Sequence, residues 1–124
     1  LCDAGRVGRA LRDHPRLRMC VPHLGADEFP AYADLLRRHD NLWLDTTMVL
    51  ADYLPGEVPW DLVRARPERI LYGTDFPNLP YAWDRELRAL AGAGLPDAAL
   101  EAILGGNARA LFGIDRGPAV TDAP

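Results

Sequence analysis

Two residues of opposite acid–base character follow short apolar runs of this sequence, and their side chains are the best placed for chemistry. Asp75 comes near the end of RILYGTDFP (69–77), an apolar run that a proline stops. His23 follows a similar run over 17–21. Short runs that are apolar on both faces are typical of buried parallel strands, whose carboxyl ends carry the ligand sites of α/β folds. The pattern therefore predicts a histidine and an aspartate at one edge of a sheet, a combination suited to a metal site.

A histidine and a carboxylate beside a divalent metal ion can share the work of hydrolysis or of decarboxylation. The metal lowers the pKa of bound water toward about 7 and polarises a carbonyl or carboxylate group. A histidine can then move a proton at neutral pH, while an ionised carboxylate fixes the water or ligates the metal. His23 and Asp75 fit these two roles. Asp45 also ends an apolar run; a turn with Thr46 and Thr47 is the favoured prediction for it, and support of the site is the alternative.

The remaining histidines, aromatic residues and cysteine are predicted to be structural. His14 and His39 each follow a helix and precede a strand, which places them at the opposite edge of the sheet. Asn107, after the pair Gly105-Gly106, is predicted to cap the amino end of the last helix. Packing positions are predicted for one cysteine and four aromatic residues: Cys20 as a buried thiol, Trp43 and Tyr72 in the strand core, and Trp60 and Trp83 between helices and sheet.

The elements that must position these side chains alternate along the chain. Apolar periodicity and Pro/Gly breaks predict strands over 17–21, 41–45 and 70–72, and helices over 3–13, 27/28–39, 59–65, 81–91, 97–104 and 108–112, with a loop over 46–54. Strands about one βα unit apart favour a parallel sheet with right-handed crossovers. Three strands leave two open edges, so residues 1–114 are predicted to be part of a larger sheet. Residues 115–124 are predicted to be a disordered tail.

Composition excludes several classes of function. The chain has 124 residues, 48% of them hydrophobic and 26% charged, as expected for one globular domain. Its 14 basic residues are all arginine and lie dispersed among 18 acids, which argues against nucleic-acid binding. No apolar run approaches the roughly 20 residues of a membrane span. The start of the sequence lacks the apolar core of a signal peptide, and the two cysteines form no disulfide framework, so we expect a cytoplasmic protein.

Four motifs in order resemble one enzyme family. They are HPRLRMCVPHLG (14–25), NLWLDTTM (41–48), RILYGTDFP (69–77) and ILGGNARALFGI (103–114). Together they resemble the C-terminal part of the amidohydrolase-2 family, which comprises metal-dependent TIM-barrel hydrolases and decarboxylases. The resemblance implies a partial (β/α)8 barrel, consisting of the last three βα units (strands 6 to 8) and the C-terminal helices.

The resemblance also implies roles for the two strand-end residues. His23 matches the strand-6 histidine that acts as general acid/base or water activator, and Asp75 matches the strand-8 aspartate that binds the metal or orients its water. The family's His-x-His pair on strand 1 and its metal histidine on strand 5 have no counterpart among these residues. The implied partners are one divalent metal ion, expected to be zinc, a small carboxylated, cyclic or aromatic-derived substrate, and the N-terminal portion of the barrel.

Other functions remain open from the residues alone. A complete barrel needs roughly 250 residues, so this chain by itself is expected to be inactive. It could alternatively be a non-catalytic α/β binding module or a degenerate remnant without a complete metal site. A barrel fragment is expected to aggregate or to form a homo-oligomer, whereas a self-standing module is expected to be monomeric. A receiver-like module is disfavoured because the chain contains no lysine, and a nucleotide hydrolase because it has no GxxxxGK[ST] loop.

Overall fold

A computed structural model describes residues 3–53 and 55–114 of the chain. The helices of these segments are α1 (Ala4–Asp13), α2 (Phe29–Arg38), α3 (Trp60–Ala65), α4 (Arg85–Ala91), α5 (Asp97–Glu101) and α6 (Asn107–Phe112). The strands are β1 (Met19–Val21), β2 (Leu42–Asp45) and β3 (Ile70–Leu71). The predicted alternation of helices and strands is thereby confirmed. The predicted tail over 115–124 lies outside the described residues.

The three strands form one parallel sheet in the order β1-β2-β3. Met19 pairs with Leu42, and Leu44 pairs with Ile70. Since the strands are parallel, the loops that follow all three of them leave from one edge of the sheet. That edge carries the segments that contain His23 and Asp75, as the sequence predicts.

The hydrophobic core lies on one face of this sheet, whereas on the other face Cys20 is exposed, Trp43 and Asp45 are half-buried and Leu71 is buried. Leu42, Leu44 and Ile70 are completely buried in the core that the helices form on the first face. Trp43 points to the opposite face, where the guanidinium of Arg69 lies 4.5 Å from the centre of its ring.

The prediction of a buried Cys20 is wrong, because Cys20 pairs with Trp43 and is exposed. A sheet with one well-covered and one partly exposed face is the arrangement expected for part of a barrel wall.

Local capping and packing explain where the first two helices form. The Asp3 carboxylate accepts a hydrogen bond from Arg6 N at 2.9 Å and caps α1. A Cβ at Gly8 would lie 2.9 Å from Leu35 Cδ2, so the small residue lets α1 approach α2 closely. Glu28, just before α2, accepts a hydrogen bond from Ala4 N at 3.0 Å and joins the starts of the two helices.

The helix predicted over 81–91 is shorter in the structure. It begins at Arg85, because turns occupy the residues around Pro77 and Pro80. Trp83 therefore lies outside the helix with 61% of its surface exposed, and its predicted packing role is wrong. Trp60, by contrast, is half-buried against the core as predicted.

The last helices follow one another with a kink at Gly105, whose φ of 177° and ψ of -23° are not helical, rather than with the complete break that Gly105-Gly106 predicted. A π-helical segment, Ala102–Gly106, connects α5 directly to α6. Asn107 is therefore helical rather than an N-cap, and its buried amide donates hydrogen bonds of 2.7 Å to the carbonyls of Pro67 and Ile70. The predicted cap is wrong because this side chain bonds to β3 and to the turn before it, instead of to its own helix.

Candidate active site

His23 occupies the first position after the turn that leaves β1. Its φ of 57° puts a non-glycine residue in the left-handed region, a conformation that is enriched at functional sites. His23 N donates to Asp45 Oδ1 at 3.3 Å, and the ring nitrogen Nδ1 lies 2.8 Å from the carbonyl oxygen of Thr47. Because a carbonyl can only accept, Nδ1 carries the proton of this hydrogen bond. The neutral ring consequently has its lone pair on Nε2.

The carboxylate of Asp45 connects the loops after β1 and β2. Its Oδ1 accepts hydrogen bonds from His23 N and from Thr47 N, the latter at 3.1 Å. The bond to Thr47 confirms the predicted turn. The bond to His23 N shows in addition that Asp45 holds the backbone of His23. This contact joins residues that are distant in sequence, so the turn pattern does not reveal it.

Thr46 and Gly73 connect the loops after β2 and β3 in the same way. The buried Thr46 hydroxyl accepts a hydrogen bond from Gly73 N at 3.2 Å and lies 3.4 Å from Gly73 O, to which it donates. A Cβ on Gly73 would lie 2.5 Å from Thr47 Oγ1 and 3.6 Å from Asp45 Oδ1. Glycine is therefore required here by the close approach of the two loops, and it fixes the segment that leads to Asp75.

Asp75 lies in an exposed turn beyond β3. Its φ is 65°, its carbonyl accepts a hydrogen bond from Asn78 N at 2.8 Å, and the peptide bond before Pro77 is cis. Thr74 Oγ1 accepts from Phe76 N at 3.1 Å, which supports the local bonding predicted for Thr74. Within the described segments, no hydrogen bond or ion pair joins Asp75 to His23. The structure thus brings both residues to one edge of the sheet without placing them in contact.

Glu86 is a buried acid that the sequence pattern gave no reason to single out. It lies on α4 with no exposed surface, and its Oε1 accepts a hydrogen bond from Leu50 N at 3.2 Å. Burial raises the pKa of Glu86, while hydrogen bonds from the amides of Leu50 and Met48 oppose that rise. In sequence it looks like any acid on the solvent face of a helix; only the packing of the loop after β2 over α4 identifies it.

Two tyrosines share the buried surroundings of Glu86. Loss of hydration and then the negative charge of Glu86 raise the pKa of Tyr81 to about 12, and the same two causes raise the pKa of Tyr72. Both tyrosine hydroxyls and Glu86 Oε2 are buried without a hydrogen bond of standard geometry. Buried groups of this kind favour the neutral form of the acid.

Comparison with protein-family models identifies the family of this chain. A family model described as amidohydrolase matches residues 6–114. The chain belongs to the amidohydrolase-2 family. This membership confirms the resemblance that the four sequence motifs indicated. No functionally curated protein matches this amidohydrolase closely enough to be compared.

Solved structures show the same architecture. An uncharacterised TIM-barrel protein from Bordetella bronchiseptica is 27% identical with a TM-score of 0.75, over 88% of this amidohydrolase and 38% of its own chain. An apo protein from Agrobacterium tumefaciens is 27% identical with a TM-score of 0.59, over 87% of this chain and 48% of its own. The 2,6-dihydroxybenzoate decarboxylase from Rhizobium is 21% identical with a TM-score of 0.66, over 91% of this chain and 40% of its own.

The chain spans less than half of the length of each of these solved proteins: 38%, 48% and 40%. Because it covers only that share of TIM-barrel structures, it forms a partial α/β barrel. None of the helices in the described segments is long and apolar enough to cross a membrane.

Members of this family generally use a divalent metal ion, so the donors present must be compared with what such an ion needs. Catalytic zinc sites usually have three protein ligands. Residues 3–53 and 55–114 contain no group of three or more His, Cys, Asp or Glu side chains that could hold a metal. The described residues therefore do not fit a complete metal site, although the exposed Asp75 carboxylate could supply one ligand.

Proposed function

We propose that this chain supplies barrel strands 6, 7 and 8 of a metal-dependent amidohydrolase that hydrolyses or decarboxylates a small carboxylated compound. In this proposal β1, β2 and β3 correspond to those three strands, and the remaining strands complete both the barrel and the metal site. The family match over 6–114 and the partial coverage of TIM-barrel structures support the assignment. By itself, the 124-residue chain is expected to be inactive.

His23 is the proposed general acid/base. The observation that carries this role is the 2.8 Å contact between its Nδ1 and Thr47 O. This contact fixes the ring and leaves Nε2 as the nitrogen that can take up a proton from water or return one to a substrate carbon. Asp45 holds the backbone of His23, so the imidazole is positioned from two sides.

Asp75 is the proposed metal-binding carboxylate of the chain. Its exposure at the carboxyl edge of the sheet supports this role, since active sites of TIM barrels lie at that edge. We propose zinc as the ion, with the other ligands outside the described residues. The 2,6-dihydroxybenzoate decarboxylase from Rhizobium acts on a carboxylated aromatic compound, which supports a carboxylated, cyclic or aromatic-derived substrate here.

The decisive experiment begins with the DNA upstream of the codon for Leu1. The proposal expects a continuous reading frame that encodes a His-x-His strand and a further strand-end histidine. The polypeptide encoded by that frame should bind one zinc ion, measured by elemental analysis. It should also release CO2 or a hydrolysis product from a panel of carboxylated aromatic and lactone substrates.

Two pairs of variants then test the residues. His23→Ala and Asp75→Asn should lower kcat by about a hundredfold or more, as expected for loss of acid–base or metal chemistry, with unchanged thermal midpoints. His14→Ala and Asp52→Asn are the matched controls, because His14 lies at the other sheet edge and Asp52 is an exposed aspartate with φ of 50°. Activity close to wild type in His23→Ala or Asp75→Asn would refute the corresponding assignment.

The alternative, a self-standing binding module, makes a different prediction for the isolated chain. The partly exposed sheet face leaves Cys20 exposed and Trp43 only half-buried, so a barrel fragment should self-associate through this face. Sedimentation velocity should then show a dimer or a larger species. A monomer that unfolds cooperatively across the accessible concentration range would favour the module instead.

A further inference from the structure

The buried carboxyl of Glu86 holds the backbone of one particular loop. Oε1 accepts the hydrogen bond from Leu50 N at 3.2 Å. Met48 has a φ of 62°, so its backbone needs support from outside its own turn. Glu86 therefore holds the Leu50 amide, at the end of the segment 46–50, to α4.

The same segment holds the ring of His23. Thr47, which lies next to Met48, provides the carbonyl that accepts the proton of His23 Nδ1. At its start the segment is fixed by Thr46, whose amide donates to Leu71 O at 2.9 Å and whose hydroxyl bonds to Gly73. The orientation of the Thr47 carbonyl thus depends on Thr46 at one end and on Glu86 at the other.

We infer that Glu86 is a positioning residue that sets the tautomer of His23 through the 46–50 segment. The inference rests on the acid/base role proposed for His23, because only that role makes the free Nε2 lone pair useful. An apolar residue of similar size would fill the same space but leave the Leu50 amide without this partner. Movement of the 46–50 backbone toward other partners would turn the Thr47 carbonyl away from Nδ1.

A carboxyl group and an amide are interchangeable in this role. The carbonyl oxygen of a glutamine can accept the hydrogen bond from Leu50 N as a carboxyl oxygen does. Burial disfavours the ionised form of Glu86, so loss of the charge should not be harmful. Glu86→Gln should therefore preserve the state of His23, whereas Glu86→Leu should not, and this contrast separates positioning from simple filling of space.

Nitrogen-15 NMR of the 124-residue chain measures the tautomer directly. The shifts of Nδ1 and Nε2 give the ratio of the two neutral forms for each of the three histidines, and His14 and His39 serve as internal references. In wild type and in Glu86→Gln, His23 should be mainly Nδ1-protonated. In Glu86→Leu the ratio should fall about fivefold, the effect of losing one ordinary hydrogen bond. Glu57→Gln, at an exposed position, is the matched control and should change nothing.

The inference fails if folded Glu86→Leu keeps the wild-type ratio at His23. Should that variant not fold, Glu86→Asp provides the same test, because the acid is kept but withdrawn by one methylene. It should speed hydrogen exchange at Leu50 and lower the ratio; faster exchange with an unchanged ratio would overturn the inference. The readout involves no substrate or metal, so its failure is distinguishable from failure of the proposed function, which turnover of His23→Ala tests.

Discussion

At the scale of the residue, the Cys20 side chain is exposed, but its surroundings disfavour the thiolate form. Partial loss of hydration and then the negative charge of Asp45, whose Oδ2 lies 4.0 Å from the sulfur, raise the pKa of Cys20 from 9.0 to about 11. Because the thiolate is the nucleophile, alkylation by iodoacetamide at pH 8 should be about 100-fold slower than for an unhindered thiol. Peptide mapping by mass spectrometry separates this rate from that of Cys2.

Removal of the carboxylate charge provides the control for this prediction. In Asp45→Asn, the pKa of Cys20 should fall and its alkylation should become faster, with a smaller change than the full hundredfold because loss of hydration is the larger cause. A Cys20 rate equal to that of an unhindered thiol in the wild type would contradict the environment described for it.

Gly25, two residues after His23, is required for two separate reasons. Its φ is 77°, and a Cβ at this position would collide with the ring of the buried Tyr32. Gly94 has a similar φ of 68°, but a Cβ there would meet nothing within 4 Å. Gly94→Ala should therefore cost only about 1 kcal/mol of backbone strain, and Gly25→Ala about 2 kcal/mol more because the collision adds to it. Urea unfolding of both variants measures the difference. Equal losses of unfolding free energy would show that the Tyr32 ring moves aside without destabilising the fold, which would contradict this prediction.

At the scale of the element, Asn107 joins the last helix to β3. Loss of its two hydrogen bonds leaves the carbonyls of Pro67 and Ile70 without this donor, so Asn107→Ala should lower the free energy of unfolding by about 2 kcal/mol. Asn78→Ala, at an exposed position, should change it by less than about 0.5 kcal/mol. Chemical denaturation compares the two, and similar small losses in both would contradict the structural role of Asn107.

The elements also show which features the sequence could predict. Strand positions follow from short apolar runs because buried strands are apolar on both faces, and the edge that carries His23 and Asp75 follows from the parallel order that alternating strands and helices impose. Asn107 was misassigned because a local capping rule cannot anticipate bonds to residues 37 and 40 positions away. Glu86 escapes sequence reasoning for the same reason, and the contact between Asp45 and His23 is only the less favoured alternative there, since each joins segments that meet only after folding.

At the scale of the whole molecule, stability should depend on pH through Glu86. Its folded-state pKa is raised above the ordinary value of 4.5, so its contribution is fully present below pH 4.5 and is lost as pH rises through the folded-state pKa. Glu86→Gln removes this loss. The free energy of unfolding of the variant relative to wild type should therefore increase between pH 4 and pH 8, measured by urea unfolding.

Glu68 gives a control of opposite sign. Burial raises its pKa, but the hydrogen bond and charge of Arg66 outweigh this effect, so the net pKa is lowered from 4.5. Its stabilisation is present above pH 4.5 and is lost as pH falls. Glu68→Gln should accordingly become less stable relative to wild type as pH rises, with a small slope because the ion pair is half exposed. If the free energy of unfolding relative to wild type changed with pH in the same direction in Glu86→Gln and Glu68→Gln, the burial of Glu86 would be contradicted.

The bonds of Asp45 and Thr46 have a consequence for recombination between related barrels. Asp45 bonds to the loop after β1, and Thr46 bonds to the loop after β3, so the segment 19–75 behaves as one interlocked block. A chimera with its crossover point inside that block would combine loops that evolved with different partners, and would lose these bonds unless both parents shared them. Crossover points outside the block would transfer the whole edge intact, which makes it a natural unit of exchange.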